Sequence, residues 1–342
     1  MSGTTGKQVD HAVRSQTGTP SSSNYVAPGW LINGHWQTIY PAKCLRLPTP
    51  PYRRERWHTP DADFIDVDFI DGQPAQPLLV LFHGLEGSSG SHYAKSLMAH
   101  IASLGWHGAV PHFRGCSGEI NDGPRFYHSG DANEINWILQ RLRQLHCGPM
   151  YAVGVSLGGN ALLRWLGEWQ HQAEWVDAAC AISAPVDLAQ GGAALSRGIN
   201  RIYTQMFLRT LKPKCLRKLQ QFPALFDRDT MLAARDLYEF DNVVTAPLHG
   251  YRDTDDYWHR ASARHILPDI TVPTLVLNAQ NDPFLPAQYL PQRASARVTL
   301  EYPQHGGHVG FASGPLPGNL DWLPHRIVQF LKTASPQGAG HG

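Results

Sequence analysis

A serine flanked by two glycines has the sequence context of a catalytic nucleophile. Residues 154–158 read Gly-Val-Ser-Leu-Gly, between a short apolar run and a helix-like run. In such a strand-to-helix turn the serine hydroxyl is exposed, and Gly154 and Gly158 are needed because a Cβ there would strike neighbouring backbone. The backbone N–H of Leu157, at the helix start, can face a developing oxyanion. This context predicts Ser156 as the nucleophile of an acyl transfer.

A serine hydroxyl is a weak nucleophile at neutral pH, so Ser156 needs a base and a group that orients the base. Asp282 follows a predicted strand over residues 274–278. Functional groups gather at the carboxyl edge of an open parallel sheet, and Asp282 is therefore the candidate orienting group. The alternative is that Asp282 only caps a turn before Pro283.

Two histidines after the last predicted strand compete for the role of base. Gly306 and Gly307 stand immediately before His308 and allow the chain to bend toward the sheet edge, which favours His308 over His305. Either histidine could instead be an ordinary loop residue. The chain order Ser, Asp, His is typical of α/β-hydrolases.

A second oxyanion donor is expected in the loop after the apolar run Leu78–Phe82. Residues 83–87 read His-Gly-Leu-Glu-Gly, and the glycines let the backbone N–H of Leu85 turn inward. We expect His83 to be a structural hydrogen bonder, because a better-placed histidine follows downstream.

Composition and cysteine usage restrict the class of protein. The 342 residues are 42% hydrophobic and 17% charged, as in a soluble globular protein with a sizeable core. The net charge is only +1, and the sequence contains neither a glycine-rich phosphate-binding loop nor a run of interleaved basic and aromatic residues. These features argue against a nucleic-acid partner. The five cysteines are widely spaced and form no Cys-x-x-Cys pair, so they suggest neither a disulfide framework nor a zinc site. This cysteine usage favours a reducing, cytoplasmic location. Cys116 lacks the strand-turn-helix context of a nucleophile.

Eighteen histidines raise the question of a metal, but none forms a His-Glu-x-x-His or comparable pair on one helical face. We therefore expect no metal and no cofactor.

Apolar, β-branched runs alternate with helical stretches, which predicts a mainly parallel sheet with helices on both faces. The predicted strands are residues 64–70, as an edge strand, 78–82, 107–113, 150–155, 178–183, 274–278 and 298–302. The predicted helices are residues 92–104, 131–145, 157–170 and 322–332.

The spacing of these elements predicts the domain organisation. Residues 24–188 and 271–334 form the core, and residues 189–270, which contain no clear strand, form an inserted helical cap. We expect residues 1–23 to be a disordered tail without a signal peptide, and residues 335–342 to be flexible. No run approaches the roughly 18 apolar residues of a membrane span.

A basic stretch lies within the predicted cap. Residues 197–218 carry seven basic residues and no acidic one, interleaved with apolar residues. Such a stretch can make weak contact with an anionic membrane surface, or it can be an ordinary solvated face of the cap.

Several motifs together resemble the YheT-type α/β-hydrolases, which are bacterial relatives of the eukaryotic abhydrolase-domain lipid esterases. The motifs are residues 83–87, 113–119, 125–130, 154–160 and 306–311, with residues 28–31 and 33–38 near the N-terminus. The resemblance extends from about residue 25 to residue 330. It implies a carboxylic-ester hydrolase with Ser156, Asp282 and His308 as charge-relay residues.

One of these motifs contains Arg125 and His128, which the triad does not require. They either contact the substrate or hold their loop in place through hydrogen bonds.

The sequence thus predicts a serine esterase for short to medium acyl chains that works through an acyl-enzyme, with a small-molecule ester as its partner. A thioesterase or an acylglycerol or phospholipid lipase uses the same triad, and a non-catalytic ligand receptor can use the same fold. The sequence does not indicate the oligomeric state.

Overall fold

Eight strands form one sheet at the centre of the computed structural model, which describes residues 24–334. The predicted tails, residues 1–23 and 335–342, lie outside the described residues. The order across the sheet is β1-β2-β4-β3-β5-β6-β7-β8. The strands are β1 Arg53–His58, β2 Phe64–Ile70, β3 Leu78–Phe82, β4 His107–Pro111, β5 Met150–Val155, β6 Ala178–Ile182, β7 Thr274–Leu277 and β8 Val298–Glu301.

The strands from β3 to β8 pair in parallel, whereas β1 pairs antiparallel with β2 and β2 pairs antiparallel with β4. Every residue of β3, β5 and β6 is buried, because helices cover both faces of the sheet. The predicted α/β fold with a mainly parallel sheet is therefore confirmed.

The prediction that residues 64–70 form an edge strand is wrong. They form β2, which lies inside the sheet, and the edge strand is β1. The sequence of β1 is mostly charged and gives no apolar alternation to detect, as is common at a sheet edge. Arg54 and Arg56 of β1 form ion pairs with the directly opposite Asp68 and Asp66 of β2.

The helices of the described residues are α1 Gly34–Lys43, α2 His92–Ser103, α3 Ala132–Leu145, α4 Leu157–Trp169, α5 Leu188–Leu195, α6 Arg201–Gln221, α7 Arg228–Ala233, α8 Leu237–Val243, α9 Thr245–Leu248, α10 Thr254–Ala261 and α11 Trp322–Ala334. Two apolar layers cover the sheet. Ile135 of α3 and Trp165 of α4 lie in one layer, and Met98 of α2 and Ile327 of α11 lie in the other.

The segment from α5 to α10 connects β6 to β7, and we call it the helical insertion. It has a small core of its own, which includes Leu208, Met231 and Phe240. No helix in the described part of the chain combines the length and the apolar composition needed to cross a membrane.

Candidate active site

Ser156 lies at the junction of β5 and α4 in a strained backbone conformation, with φ 53° and ψ −120°. Close packing holds this turn. A Cβ on Gly154 would lie 2.4 Å from the carbonyl oxygen of Gly158, and a Cβ on Gly158 would lie 2.5 Å from that of Phe82. Both positions therefore require glycine, and the tight turn between them presents the serine hydroxyl.

The structure brings Ser156, His308 and Asp282 together in one chain of hydrogen bonds. His308 Nε2 lies 2.9 Å from Ser156 Oγ, and His308 Nδ1 lies 2.9 Å from Asp282 Oδ2. The second carboxylate oxygen of Asp282 accepts the backbone N–H of Phe284 at 2.7 Å. Since an ionised carboxylate only accepts, Nδ1 carries the proton, and Nε2 is free to accept the proton of the serine hydroxyl.

The loop that carries His308 is bent at Gly306 and Gly307, whose φ angles are 140° and 60°. The backbone N–H of His308 donates to Thr38 Oγ1 at 2.8 Å, which fixes the loop against α1. His305 is exposed, and its Nδ1 lies 3.3 Å from the amide nitrogen of Asn281. The geometry thus places His308, and not His305, beside Ser156.

Helix α1 supplies two buried side chains, Gln37 and Thr38, that were not among the functional residues predicted from the sequence. Gln37 Oε1 accepts the backbone N–H of Gly306 at 2.8 Å and the side-chain amide of Asn281 at 2.9 Å. Thr38 binds the His308 backbone. The available signal was the motif at residues 33–38, which contains both residues.

The predicted oxyanion donors, Leu85 and Leu157, both border the cavity that contains Ser156. In the loop after β3, the N–H of Gly84 donates to Tyr93 Oη and that of Glu86 to Tyr127 Oη, both at 2.8 Å. Within residues 24–334, the amides of Leu85 and Leu157 have no protein acceptor. Two residues whose amides lack a protein acceptor among the described residues therefore border the same cavity as Ser156.

His83 has a structural position in the core. Its Nε2 accepts the backbone N–H of Phe113 at 3.0 Å, so its Nδ1 carries a proton and donates to the carbonyl of Gly84 at 2.8 Å. Complete burial lowers the pKa of His83 to about 3, which keeps the ring neutral.

Cys116 is held as a thiol beside Glu86 and Lys214. Its Sγ lies 3.6 Å from Lys214 Nζ, and burial raises the pKa of the thiol to about 12. A protonated, partly buried thiol is a poor nucleophile, as expected for a cysteine outside a strand-turn-helix context.

An apolar cavity extends from Ser156 into the helical insertion. It contains about 1070 Å³ of space between atoms, including the part open to solvent. Its apolar wall includes Leu188, Leu195, Phe207, Leu211, Phe240, Val244, Leu248 and Trp258. Such a wall suits a hydrocarbon chain, and a few polar groups at its margin can orient the rest of a ligand.

The structure separates the two residues of the motif at 125–130. Arg125 forms ion pairs with Asp61, Asp131 and Glu134 at 3.2 to 3.4 Å and does not border the cavity. His128 does border the cavity, and its Nδ1 accepts a backbone N–H at 3.2 Å. Burial lowers the pKa of His128 to about 3. Arg125 thus has loop-holding contacts, whereas His128 has a position from which it can touch a ligand.

The basic stretch at residues 197–218 is less solvated than its sequence suggests. Lys212 Nζ donates to the carbonyls of two residues in the helical insertion, Lys214 pairs with Glu86, and Lys218 is fully buried. The exposed basic residues of the stretch are Arg197, Arg201, Arg209 and Arg217.

Comparisons with known proteins identify the family and the fold of the chain. A family model described as alpha/beta hydrolase fold matches residues 77–315. The chain belongs to the α/β-hydrolase family. This α/β-hydrolase is 39% identical over 323 residues to YheT, a candidate esterase of Escherichia coli (strain K12). The alignment covers 92% of this chain and 94% of YheT.

Two further proteins are similar to this chain, one in sequence and one in fold. Phospholipase ABHD3 of Mus musculus is 28% identical over 330 residues, 93% of this chain and 80% of that one. The solved structure of Pyrococcus furiosus esterase Pf2001 aligns with a TM-score of 0.54 at 13% identity, over 94% of this chain and 98% of that chain. At that identity the solved structure supports the fold alone.

Proposed function

We propose that the protein is a serine hydrolase that cleaves carboxylic esters with short to medium acyl chains. The observation that carries the proposal is the hydrogen-bonded series from Ser156 through His308 to Asp282, at the margin of an apolar cavity. The relatives that are named as an esterase and as a phospholipase support the same class of reaction.

In the proposed reaction, Ser156 Oγ attacks the ester carbonyl while His308 Nε2 accepts the hydroxyl proton. Asp282 keeps the imidazole in the required tautomer and stabilises the imidazolium. The N–H groups of Leu85 and Leu157 bind the tetrahedral oxyanion. His308 then protonates the leaving alcohol, and a water activated by the same histidine hydrolyses the acyl-enzyme and releases the acid.

A lipase that acts on acylglycerols or phospholipids is the second candidate function. It is favoured by the apolar wall of the cavity and by the name of the mouse relative, and it differs from the first in the alcohol part of the substrate.

We infer that the helical insertion acts as a cap, because α5, α6, α8, α9 and α10 supply most of the residues that line the cavity. The outer side of the cap makes weak contact with anionic lipid. Ile199 and Ile202 are 60% and 55% exposed there, close in sequence to Arg197 and Arg201.

A cytoplasmic location is supported by the five cysteines, all of which are free thiols.

A serine-reactive fluorophosphonate probe tests the proposal. The purified protein should be labelled, and Ser156→Ala should not, because an activated serine hydroxyl is required. A set of p-nitrophenyl esters of graded chain length then measures the acyl preference. A parent protein that neither reacts with the probe nor hydrolyses any of these esters is a ligand receptor rather than an esterase.

A further inference from the structure

A second, polar cleft adjoins the apolar cavity. It contains about 830 Å³ of space between atoms, including its open side, and lies between the loops after β3 and β4 and the outer side of α6. Glu86 and Lys214 border both the cavity and the cleft. Since Glu86 directly follows the oxyanion donor Leu85, the cleft begins next to the proposed reaction centre.

The charges of Glu86 and Lys214 cancel at this boundary. Lys214 Nζ donates to Glu86 Oε1 at 2.7 Å, and Tyr127 Oη donates to the same oxygen at 3.0 Å. The remaining carboxylate of the cleft, Glu119, is 69% exposed and lies 3.0 Å from Arg56, which it shares with Asp66.

Two arginines of α6 outweigh the charge of Glu119 and give the cleft a net positive charge. Arg209 and Arg217 both line it, are exposed, and lie about two helical turns apart on one side of the helix. Neither has an ion pair or a hydrogen bond with the residues that the structure describes, whereas the lysines Lys212 and Lys218 of the same helix donate to backbone carbonyls. Guanidinium groups bind phosphate and carboxylate through paired N–H donors.

We propose that this cleft binds an anionic group, a phosphate or a carboxylate, on the alcohol part of the ester. The inference rests on the proposed function. An ester bound at Ser156 has two arms, and the apolar cavity suits the acyl arm. We place the alcohol arm in the polar cleft, which shares Glu86 and Lys214 with the cavity and in which Arg209 and Arg217 can meet a negative charge.

Two substrates with the same acyl chain test this assignment: mono-octanoyl glycerol and mono-octanoyl glycerol 3-phosphate. The parent should favour the phosphate ester in kcat/KM. In the double variant Arg209→Gln/Arg217→Gln, the ratio of the two kcat/KM values should fall about tenfold or more, because charge-assisted hydrogen bonds to the phosphate are lost. The matched control is Arg201→Gln on the same helix, since Arg201 is exposed but borders neither the cavity nor the cleft; it should leave the ratio unchanged.

Binding without turnover separates this inference from the proposed function. Calorimetry on Ser156→Ala should show tighter binding of the phosphate ester than of the glycerol ester, and the added arginine substitutions should abolish the difference. Equal binding of the two esters overturns the inference, even when both are hydrolysed by the parent. Arginine-dependent binding of inorganic phosphate without any preference between the esters also overturns it, because the cleft is then an anion site unconnected with the substrate.

Discussion

The phenyl ring of Phe284 stacks on the imidazole of His308, with the ring centroids 3.8 Å apart and the planes 11° from parallel. The backbone N–H of Phe284 also donates to Asp282, so one residue contacts both the proposed base and the carboxylate that orients it. On its other side Phe284 packs against Tyr203 and Phe207 of α6, with centroid distances of 4.9 and 6.0 Å. The ring of Phe284 therefore connects the helical insertion to the imidazole of His308.

Replacing Phe284 by Leu should lower kcat about tenfold, because the imidazole loses the flat surface that holds its plane. The backbone contact to Asp282 remains, and the cavity wall stays apolar. Steady-state hydrolysis of a p-nitrophenyl ester measures the effect. Phe207→Leu is the matched control, since Phe207 lines the same cavity without a ring contact to His308. An equal loss of kcat in both variants would mean that Phe284 matters only as cavity wall.

Ser156→Ala should reduce ester hydrolysis on the order of 10³-fold or more, because the nucleophile of the proposed reaction is lost. The remaining methyl group preserves the packing around the turn, so we expect an unchanged thermal unfolding midpoint. Activity within about tenfold of the parent, in protein free of contaminating esterase, would remove Ser156 from the mechanism.

His308→Ala should abolish measurable turnover, whereas His305→Ala should retain it. His308 contacts Ser156 and Asp282, and His305 is exposed beside Asn281. The rates of fluorophosphonate labelling of the two variants provide a second readout that does not depend on the choice of substrate. A larger loss on changing His305 would reverse the assignment of the base.

The sequence allowed the prediction of the elements whose burial leaves a pattern. Strands β3 and β5 are covered on both faces, so each reads as a continuous apolar run. Ser156 and His308 are flanked by glycines, which mark sharp turns at the ends of strands. These local signals were sufficient to choose the residues that the structure brings together.

Other features depend on contacts that leave no local signal. Strand β1 is charged because it lies at the edge, and its arginines are balanced by Asp66 and Asp68 on β2. Gln37 and Thr38 act on the loop before His308 from almost the other end of the chain. A run of basic residues also does not show which of its side chains are buried, and Lys218 is one that is.

Asp241 provides a prediction about pH and stability. Its carboxylate accepts hydrogen bonds from Thr245 Oγ1 at 2.6 Å and Trp258 Nε1 at 2.8 Å, yet burial raises its pKa to about 6. The folded state therefore holds a proton that the unfolded chain has released between about pH 4 and pH 6, and the free energy of unfolding falls as the pH rises through this window.

Replacing Asp241 by Asn removes that titration while keeping a polar group between Thr245 and Trp258. The free energy of unfolding of Asp241→Asn, relative to the parent, should rise from pH 4 to pH 6 and then level off. Urea unfolding at a series of pH values measures the difference. A difference that is constant over this range would show that Asp241 has an ordinary pKa.

Replacing exposed apolar residues of the helical insertion tests contact with a lipid surface. Lys212 and Lys214 are less suitable for this test, because both donate hydrogen bonds within the protein. Ile199→Ser/Ile202→Ser should weaken sedimentation with phosphatidylserine vesicles, since less apolar area can enter the headgroup region. Parental binding should also fall at high salt, as screening weakens the attraction of the exposed arginines. Leu145→Ser is the matched control: Leu145 is 66% exposed but ends α3, outside the insertion, so its replacement should leave binding unchanged. Equal binding by all three proteins, or none by the parent, would leave this side of the insertion an ordinary solvated surface.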